Sequence, residues 1–173
     1  AFLRLIAPFR CRCTVVRRRP AEPLALPPGT AEGDVDVVGF DELERAVTGA
    51  DLVVLALALT PATTGIVDAG LLELMGPRCH LVNVARGAHI ITDDLVAALS
   101  TATIAAAALD VTDPEPLPEQ HPLWHLPNCI ITPHVANTPK MAVPLLSQRI
   151  SDNVARWARG APLVGTVDVD AGY

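Results

Sequence analysis

Aromatic residues make up only 3% of this 173-residue sequence, although half of its residues are hydrophobic. The core must therefore be built from Ala, Val, Leu and Ile, which suits the tightly packed layers of an α/β domain. No apolar run approaches the roughly 20 residues that a membrane-spanning helix needs. Basic residues are in the minority, and the net charge of −6 argues against a protein that binds nucleic acid.

Cysteine is also scarce, and its four occurrences are unevenly spaced: Cys11, Cys13, Cys79 and Cys129. We interpret them as small buried hydrophobic residues of a protein from a reducing compartment. A metal site on Cys11 and Cys13 is the less favoured alternative, because no second Cys/His pair has ligand spacing. Residues 1–9 are apolar but have no small-residue cleavage site, so they do not resemble a signal peptide. We expect a cytoplasmic protein without a bound metal.

Continuous apolar runs, rather than runs that alternate with polar residues, define the predicted strands. They cover residues 11–16, 51–59, 79–85, 104–111 and 129–132, with a shorter apolar segment at 35–38. Helical patterns lie between most of them, and a longer helix with one apolar stripe is predicted from Pro139 to about Arg159. This alternation predicts a Rossmann-like, doubly wound parallel sheet in an α/β fold, covered by helices on both faces.

Residues suited to chemistry follow four of the predicted strands. Arg17, Arg86, Glu115 and His134 each come after a different strand. Because parallel strands end at the same edge of a sheet, and ligands bind beyond their carboxyl ends, we expect these groups to meet there. Taken alone, each has an ordinary interpretation as a strand-end ion pair, a solvated charge or a structural histidine. Their joint position at successive strand ends favours a functional site.

An arginine, a glutamate and a histidine at one sheet edge suit the reduction of a keto acid. Arg86 can hold a substrate carboxylate and carbonyl oxygen through two hydrogen bonds. His134 can donate a proton to the developing alkoxide, or remove it in the reverse direction. Glu115 can hold the orientation of the histidine and favour its cationic form. Gly87, directly after Arg86, is expected to allow a sharp turn of the chain.

Four motifs follow one another along the chain. They are DLVVLALALTPATTG at 51–65, LVNVARG at 81–87, ALDV at 108–111 running into PEPL at 114–117, and TPHVAN at 132–137. In order and spacing they resemble the D-isomer-specific 2-hydroxyacid dehydrogenases. The resemblance extends from about Val15 to Tyr173. It implies the later part of the family's nucleotide-binding domain, followed by a segment that returns to the substrate domain.

The resemblance also implies residue roles. Arg86 would bind the substrate, His134 would be the acid/base, and Glu115 would be its carboxylate partner. Asp110 would lie near the nicotinamide ribose or ring. The residues implied on the cofactor side of the site are Leu57, Val84, Ala85, Arg86, Asp110, His134 and Asn137. The implied activity is reduction of a small 2-keto acid, of the glyoxylate or hydroxypyruvate type, to a D-2-hydroxy acid.

The residues after the first predicted strand depart from the family pattern. Many members carry an acidic residue there for the adenosine ribose 2′-hydroxyl, whereas this chain has Arg17 followed by Arg18 and Arg19. Arginine suits a 2′-phosphate, so Arg17 and Arg18 are expected to bind NADP, with NAD as the alternative cofactor. The other interpretation of these arginines is a solvated basic turn.

No G-x-G-x-x-G sequence occurs anywhere in the chain. We therefore expect residues 1–138 to form a partial dinucleotide-binding domain that is incomplete at its N-terminus and lacks the first strand and Gly-rich loop. Residues 139–173 would be the C-terminal helix and tail. The parent protein is expected to be an NAD(P)-dependent oxidoreductase that dimerises through this domain, and the present chain to be inactive alone. The alternative is a non-catalytic dinucleotide-sensing or dimerisation protein on the same fold.

Overall fold

A computed structural model of the protein describes residues 2–30, 33–167 and 169. The strands are β1 (Cys13–Val16), β2 (Val35–Val38), β3 (Leu52–Leu55), β4 (His80–Asn83), β5 (Ala106–Leu109) and β6 (Cys129–Ile131). The α-helices are α1 (Phe2–Ile6), α2 (Leu43–Val47), α3 (Ala69–Met75), α4 (Thr92–Ser100) and α5 (Pro139–Ala158). Short 3-10 helices connect several of these elements.

The strands are parallel throughout and form two sheets. β3, β4, β5 and β6 pair in that order, and β1 pairs with β2. The register aligns Leu55 with Asn83, Asn83 with Leu109, and Leu109 with Ile131. The prediction of a parallel α/β sheet is confirmed. Within the described residues, however, β1 and β3 are not paired, so the sheet is divided in two.

β3 is shorter than the predicted strand over 51–59, since it ends at Leu55. Beyond that residue the main chain bonds to side chains instead of to a neighbouring strand. The carbonyl oxygen of Ala58 accepts a hydrogen bond of 2.8 Å from the Thr63 hydroxyl. The carbonyl of Leu57 lies 3.3 Å from a ring nitrogen of His89. These bonds make residues 56–65 a structured loop at the carboxyl end of β3.

The main core lies on the four-stranded sheet and its helices. Aliphatic side chains of α3, α4 and the strands fill it, among them Leu72, Leu81, Leu95 and Ile104, which are almost completely buried. No aromatic side chain is among the buried hydrophobic residues of the described part of the chain. The aliphatic core expected from the composition is therefore observed.

The helix predicted from Pro139 to about Arg159 is confirmed as α5, but its apolar stripe does not pack on the core. The exposed members of the stripe are Met141, Val143, Leu145, Leu146, Ile150, Val154 and Trp157. The division at residue 138 stays a prediction, and part of the 139–173 segment (168 and 170–173) lies outside the described residues. Among the residues that are described, no helix has the length and apolar character to cross a membrane.

The cysteines differ in burial. Cys79 is fully buried, Cys13 and Cys129 are partly buried, and Cys11 is exposed. The interpretation of these residues as buried hydrophobic side chains is therefore wrong for Cys11. No group of three or more His, Cys, Asp or Glu side chains in the described ranges could hold a metal ion.

Candidate active site

The residues predicted to carry chemistry follow three neighbouring strands. Arg86 comes three residues after β4, Glu115 lies in the loop after β5, and His134 comes three residues after β6. Because β4, β5 and β6 are adjacent, parallel and in register, their carboxyl ends form one edge. The structure therefore brings these three loops together at one edge of the four-stranded sheet. Arg17 follows β1 and so belongs to the other sheet.

His134 and Glu115 are directly bonded. The Nδ1 atom of His134 lies 2.8 Å from Oε1 of Glu115. Since a carboxylate can only accept, Nδ1 carries the proton, and Nε2 is the nitrogen left for a ligand. Both side chains are about half exposed, so the pair is open to a small molecule.

The main chain at His134 has an unusual conformation. Its φ angle is 55°, in the left-handed region, which costs energy for most residues other than glycine, although His and Asn enter it more readily. The His134 N–H donates to the carbonyl of Thr132 at 3.0 Å. Such a conformation persists only where the surroundings fix it, and the neighbouring residues supply that constraint.

Asp110 anchors the loop that carries His134. Its Oδ1 accepts hydrogen bonds from the Thr132 hydroxyl at 2.5 Å and the Val135 N–H at 2.9 Å, and its Oδ2 accepts one from the Ala136 N–H at 2.7 Å. Burial by itself raises the pKa of Asp110, but these three donors and the nearby His134 outweigh it, so the pKa is lower than usual. The carboxylate at the end of β5 thus fixes the loop after β6.

Asp110 is only 7% exposed, and both its oxygens already have partners within the chain. It lies directly after β5, and the contacts that it makes hold the chain in place. A contact between Asp110 and a cofactor stays a prediction.

Arg86 is held by its own turn. Its Nη1 donates to the carbonyl of Ala85 at 2.6 Å, and the side chain is otherwise exposed. Asn83 shapes this turn, because its side-chain oxygen accepts from the Ala85 N–H at 3.0 Å and its amide donates to the Arg86 carbonyl at 2.9 Å. Asn83 is completely buried. No role was predicted for Asn83, although a lone amide in an apolar run is a recognisable signal.

Gly87 is required for a different reason from the predicted one. It does not have a positive φ, so the turn itself does not demand glycine. A Cβ atom at this position would collide with the main-chain carbonyl group of Thr112 and with the nitrogen of Asp113. The glycine therefore lets the loop after β4 touch the loop after β5, which continues to Glu115.

His89 is a second positioning residue that was not predicted from the sequence. It is completely buried, and both ring nitrogens face main-chain carbonyl oxygens. Nδ1 lies 2.9 Å from Thr63 and Nε2 lies 3.3 Å from Leu57. In a neutral ring only one nitrogen carries a proton, and the shorter contact favours Nδ1 as the donor to the Thr63 carbonyl. A protonated ring could donate to both carbonyl oxygens. His89 thereby ties the loop after β3 to the loop after β4.

The residues expected to line the cofactor lie on these same loops. Leu57 is partly buried against the core, and Ala85 is buried within it. Val84 and Asn137 are exposed, which leaves them accessible to a ligand. Whether any of them contacts a cofactor stays a prediction.

The basic residues after β1 form an ion-paired cluster with an acidic residue. Arg17 Nη2 lies 3.2 Å from Glu22 Oε2, and Arg19 Nη1 lies 2.7 Å from Glu22 Oε1. The Arg17 main chain is fixed, because its N–H donates to the carbonyl of Val38 at 2.9 Å. Arg17 is the less exposed of the two ion-paired arginines, with 23% of its side chain accessible against 60% for Arg19.

Comparison with known proteins identifies the family. Residues 1–136 match the model of the NAD-binding domain of the D-isomer-specific 2-hydroxyacid dehydrogenases. A glyoxylate/hydroxypyruvate reductase A from Photorhabdus laumondii is 38% identical over 136 residues, covering 78% of this chain and 42% of that protein. A protein of Corynebacterium melassecola, described by its position in the proB 3′ region, is 43% identical over 99% of this chain and 54% of its own length.

Solved structures agree in fold. A D-isomer-specific 2-hydroxyacid dehydrogenase from Xanthobacter autotrophicus, in complex with NADPH and MES, has a TM-score of 0.78 and 34% identity, over 94% of this chain and 63% of that one. An NADPH-dependent glyoxylate/hydroxypyruvate reductase from Sinorhizobium meliloti, in complex with NADP and sulfate, has a TM-score of 0.84 and 27% identity, over 99% of this chain and 52% of that one.

The chain spans about half the length of the curated relatives that it matches. The family match, by contrast, covers most of the chain, and it includes the loops that carry Arg86, Glu115 and His134. This protein belongs to the D-isomer-specific 2-hydroxyacid dehydrogenase family.

Proposed function

We propose that the protein that contains this chain reduces a small 2-keto acid, of the glyoxylate or hydroxypyruvate type, to the D-2-hydroxy acid with NADPH. The observation that carries the proposal is the bonded His134–Glu115 pair, with its contact of 2.8 Å, on the loops next to that of Arg86. The names of the relatives support the substrate class, since they are glyoxylate/hydroxypyruvate reductases. The NADPH and NADP complexes of two similar structures support the cofactor.

Arg86 is proposed to bind the substrate. Its guanidinium carries five N–H donors in a planar fork, which matches a carboxylate and an adjacent carbonyl oxygen. The present bond to the Ala85 carbonyl uses only Nη1, so other donors can face a ligand. Two hydrogen bonds from one rigid group orient the keto carbon as well as holding the acid.

His134 is proposed as the proton donor. With Nδ1–H directed at Glu115, a protonated Nε2 would give its proton to the carbonyl oxygen as that oxygen gains negative charge. Glu115 keeps the ring in the orientation and tautomer that this step requires, and its negative charge stabilises the imidazolium before transfer. In the oxidative direction the neutral Nε2 accepts the hydroxyl proton.

The residues present fit a phosphorylated dinucleotide at two places. Arg17 and Arg18 at the end of β1 carry the charge that a 2′-phosphate needs, and the exposed Val84 and Asn137 flank the sheet edge near Arg86 and His134. When bound, the reduced nicotinamide supplies the hydride. No residue of this chain is assigned to the pyrophosphate, in keeping with the lack of a G-x-G-x-x-G sequence.

Steady-state oxidation of NADPH with glyoxylate and hydroxypyruvate, by the complete gene product, tests the proposal. We expect the substitution His134→Asn to lower kcat by about 10²- to 10⁴-fold, the usual contribution of a positioned acid/base. Asparagine is the best replacement, because it tolerates the left-handed conformation at this residue. NADPH binding, followed by fluorescence, should stay within a fewfold of the unsubstituted value.

His80→Asn is the matched control. His80 is exposed and is the first residue of β4. It therefore lies at the amino ends of the strands, away from His134, and its replacement should not change kcat. Turnover that survives His134→Asn would overturn the acid/base role. NADPH binding without any turnover in the unsubstituted protein would favour a dinucleotide-sensing protein instead.

The proposal includes a cytoplasmic homodimer that forms through the nucleotide-binding domain. It rests on the family relationship alone. Size-exclusion chromatography with light scattering on the complete gene product would measure the mass directly, and a monomer would contradict it.

A further inference from the structure

The arginine cluster after β1 holds a carboxylate of the chain itself. One oxygen of Glu22 contacts Arg17 at 3.2 Å and the other contacts Arg19 at 2.7 Å. A single carboxylate therefore bridges two arginines. One of them, Arg17, is proposed above to bind the 2′-phosphate.

A tight turn keeps Glu22 at this position. The Glu22 N–H donates to the Arg19 carbonyl at 3.2 Å, which closes a four-residue turn with Pro20 at its second position, where proline is favoured. The proline ring fixes φ at the second position and so limits the other conformations that the turn can adopt. The carboxylate is thus held next to the arginines by the main chain, and not by the ion pairs alone.

A carboxylate and a phosphate compete for the same donors. Both accept parallel hydrogen bonds from guanidinium groups, and a phosphate monoester carries more negative charge. The Glu22 side chain is about half exposed, so it can move into solvent when another anion arrives. The hydrogen bond from Arg19, with the charges of Arg17 and Arg18, lowers the pKa of Glu22, so the competing group is ionised at neutral pH.

We propose that Glu22 is a specificity-determining residue that occupies the 2′-phosphate position of this cluster and weakens the binding of phosphorylated dinucleotides. The inference rests on the proposed function, in which NADP is the cofactor. A bound 2′-phosphate must displace the carboxylate and also lie near its charge. A ligand without the 2′-phosphate avoids both costs. Glu22 therefore reduces the difference in affinity between dinucleotides that carry the 2′-phosphate and those that lack it.

Isothermal titration calorimetry on the complete gene product tests this inference, with adenosine 2′,5′-bisphosphate and ADP as probes. In Glu22→Gln we expect the bisphosphate to bind about three- to tenfold more tightly, the range expected when exposed ion pairs with two arginines are lost. ADP should bind as it does to the unsubstituted chain. The gain should shrink at high salt, because the groups are exposed and screened.

Two further variants separate competition from a general effect of charge. Glu42→Gln removes an exposed glutamate that pairs with Arg45 at 2.8 Å, outside the cluster, and should leave both affinities unchanged. In Arg17→Gln the additional substitution Glu22→Gln should give a smaller gain than in the unsubstituted chain, because one of the two contested arginines is gone. A purely structural role of Glu22 would not produce this coupling.

The outcomes separate this inference from the proposed function. If the unsubstituted chain prefers the bisphosphate and Glu22→Gln binds it no better, Glu22 is not a competitor, while the NADP proposal stands. If neither protein distinguishes the bisphosphate from ADP, the choice of NADP in the proposed function and this inference are both wrong, whereas the reduction of a 2-keto acid is decided by the steady-state assay. Equal gains in Glu22→Gln and Glu42→Gln would reduce the effect to net charge and overturn the inference.

Discussion

Replacing Asp110 by asparagine should destabilise the protein by an amount that the geometry sets. The carboxylate accepts two hydrogen bonds on Oδ1 and one on Oδ2. In its best orientation an asparagine keeps its oxygen at the Oδ1 position and directs its amide at the N–H of Ala136. One charge-assisted bond is then lost and a buried donor faces another donor. The expected loss is about 2–4 kcal/mol in the free energy of unfolding.

Urea unfolding followed by far-ultraviolet circular dichroism measures this loss. Asp51→Asn is the control, because Asp51 is exposed and lies 3.8 Å from Arg78 in an exposed ion pair, so its replacement should cost less than about 1 kcal/mol. Equal transition midpoints for Asp110→Asn and the unsubstituted protein would refute the role of Asp110 as the anchor of the 132–136 loop.

The same pair of proteins has a predicted pH dependence. The pKa of Asp110 is lowered in the folded state. Ionisation of this carboxyl group therefore stabilises the folded protein relative to the unfolded chain. This contribution to stability is fully present above the unfolded pKa of about 4. It is lost as the pH falls through the lower folded pKa. The difference between the two proteins should therefore be largest near neutral pH and shrink in acid, and a constant difference would contradict the argument.

Two further predictions concern the close packing at Gly87 and the burial of the cysteines. Gly87→Ala should destabilise the protein by about 1–3 kcal/mol, because the new Cβ meets the main chain of Thr112. Gly70→Ala is the control: Gly70 is exposed in helix α3, and a new Cβ there meets only Asp68 Oδ1 at 3.5 Å, so this variant should be neutral or stabilising in the same urea assay. In titrations with a thiol-specific disulfide reagent at pH 8, exposed Cys11 should react first. Burial raises the pKa of Cys129 to about 11, so roughly a thousandth of it is thiolate there, and equal rates would contradict this prediction.

The sequence predicted which strand ends carry the candidate residues better than it predicted the bonds that these residues make. Continuous apolar runs predict parallel strands, and polar residues that follow them must then lie at one end of the sheet. The loops that carry Arg86, Glu115 and His134 could therefore be predicted to be neighbours. The pairing of Glu115 with His134 was expected from their residue types at strand ends and from the family resemblance, but its geometry was not. It depends on how a Pro-rich loop folds, and no periodicity encodes that.

Residues that bond within loops and turns were harder to predict from the sequence. Asn83, His89 and Glu22 received no role from the sequence, because each bonds to groups that are brought near by turns rather than by a repeating pattern. The excess length of the predicted β3 has the same origin. The apolar segment continues past Leu55, but its carbonyl groups contact the side chains of Thr63 and His89 and not a neighbouring strand.

The separation of β1 and β2 from the other strands bears on how the molecule opens. A two-stranded sheet is marginally stable by itself, and its Val38 lies outside the main core cluster, whereas Leu55, Leu81 and Leu109 of the larger sheet lie within it. In native-state hydrogen exchange, the amides of β1 and β2 should therefore lose protection at a lower free energy than those of β4 and β5. The arginine cluster would then belong to a region that can loosen while the Asp110-anchored loop of His134 stays intact.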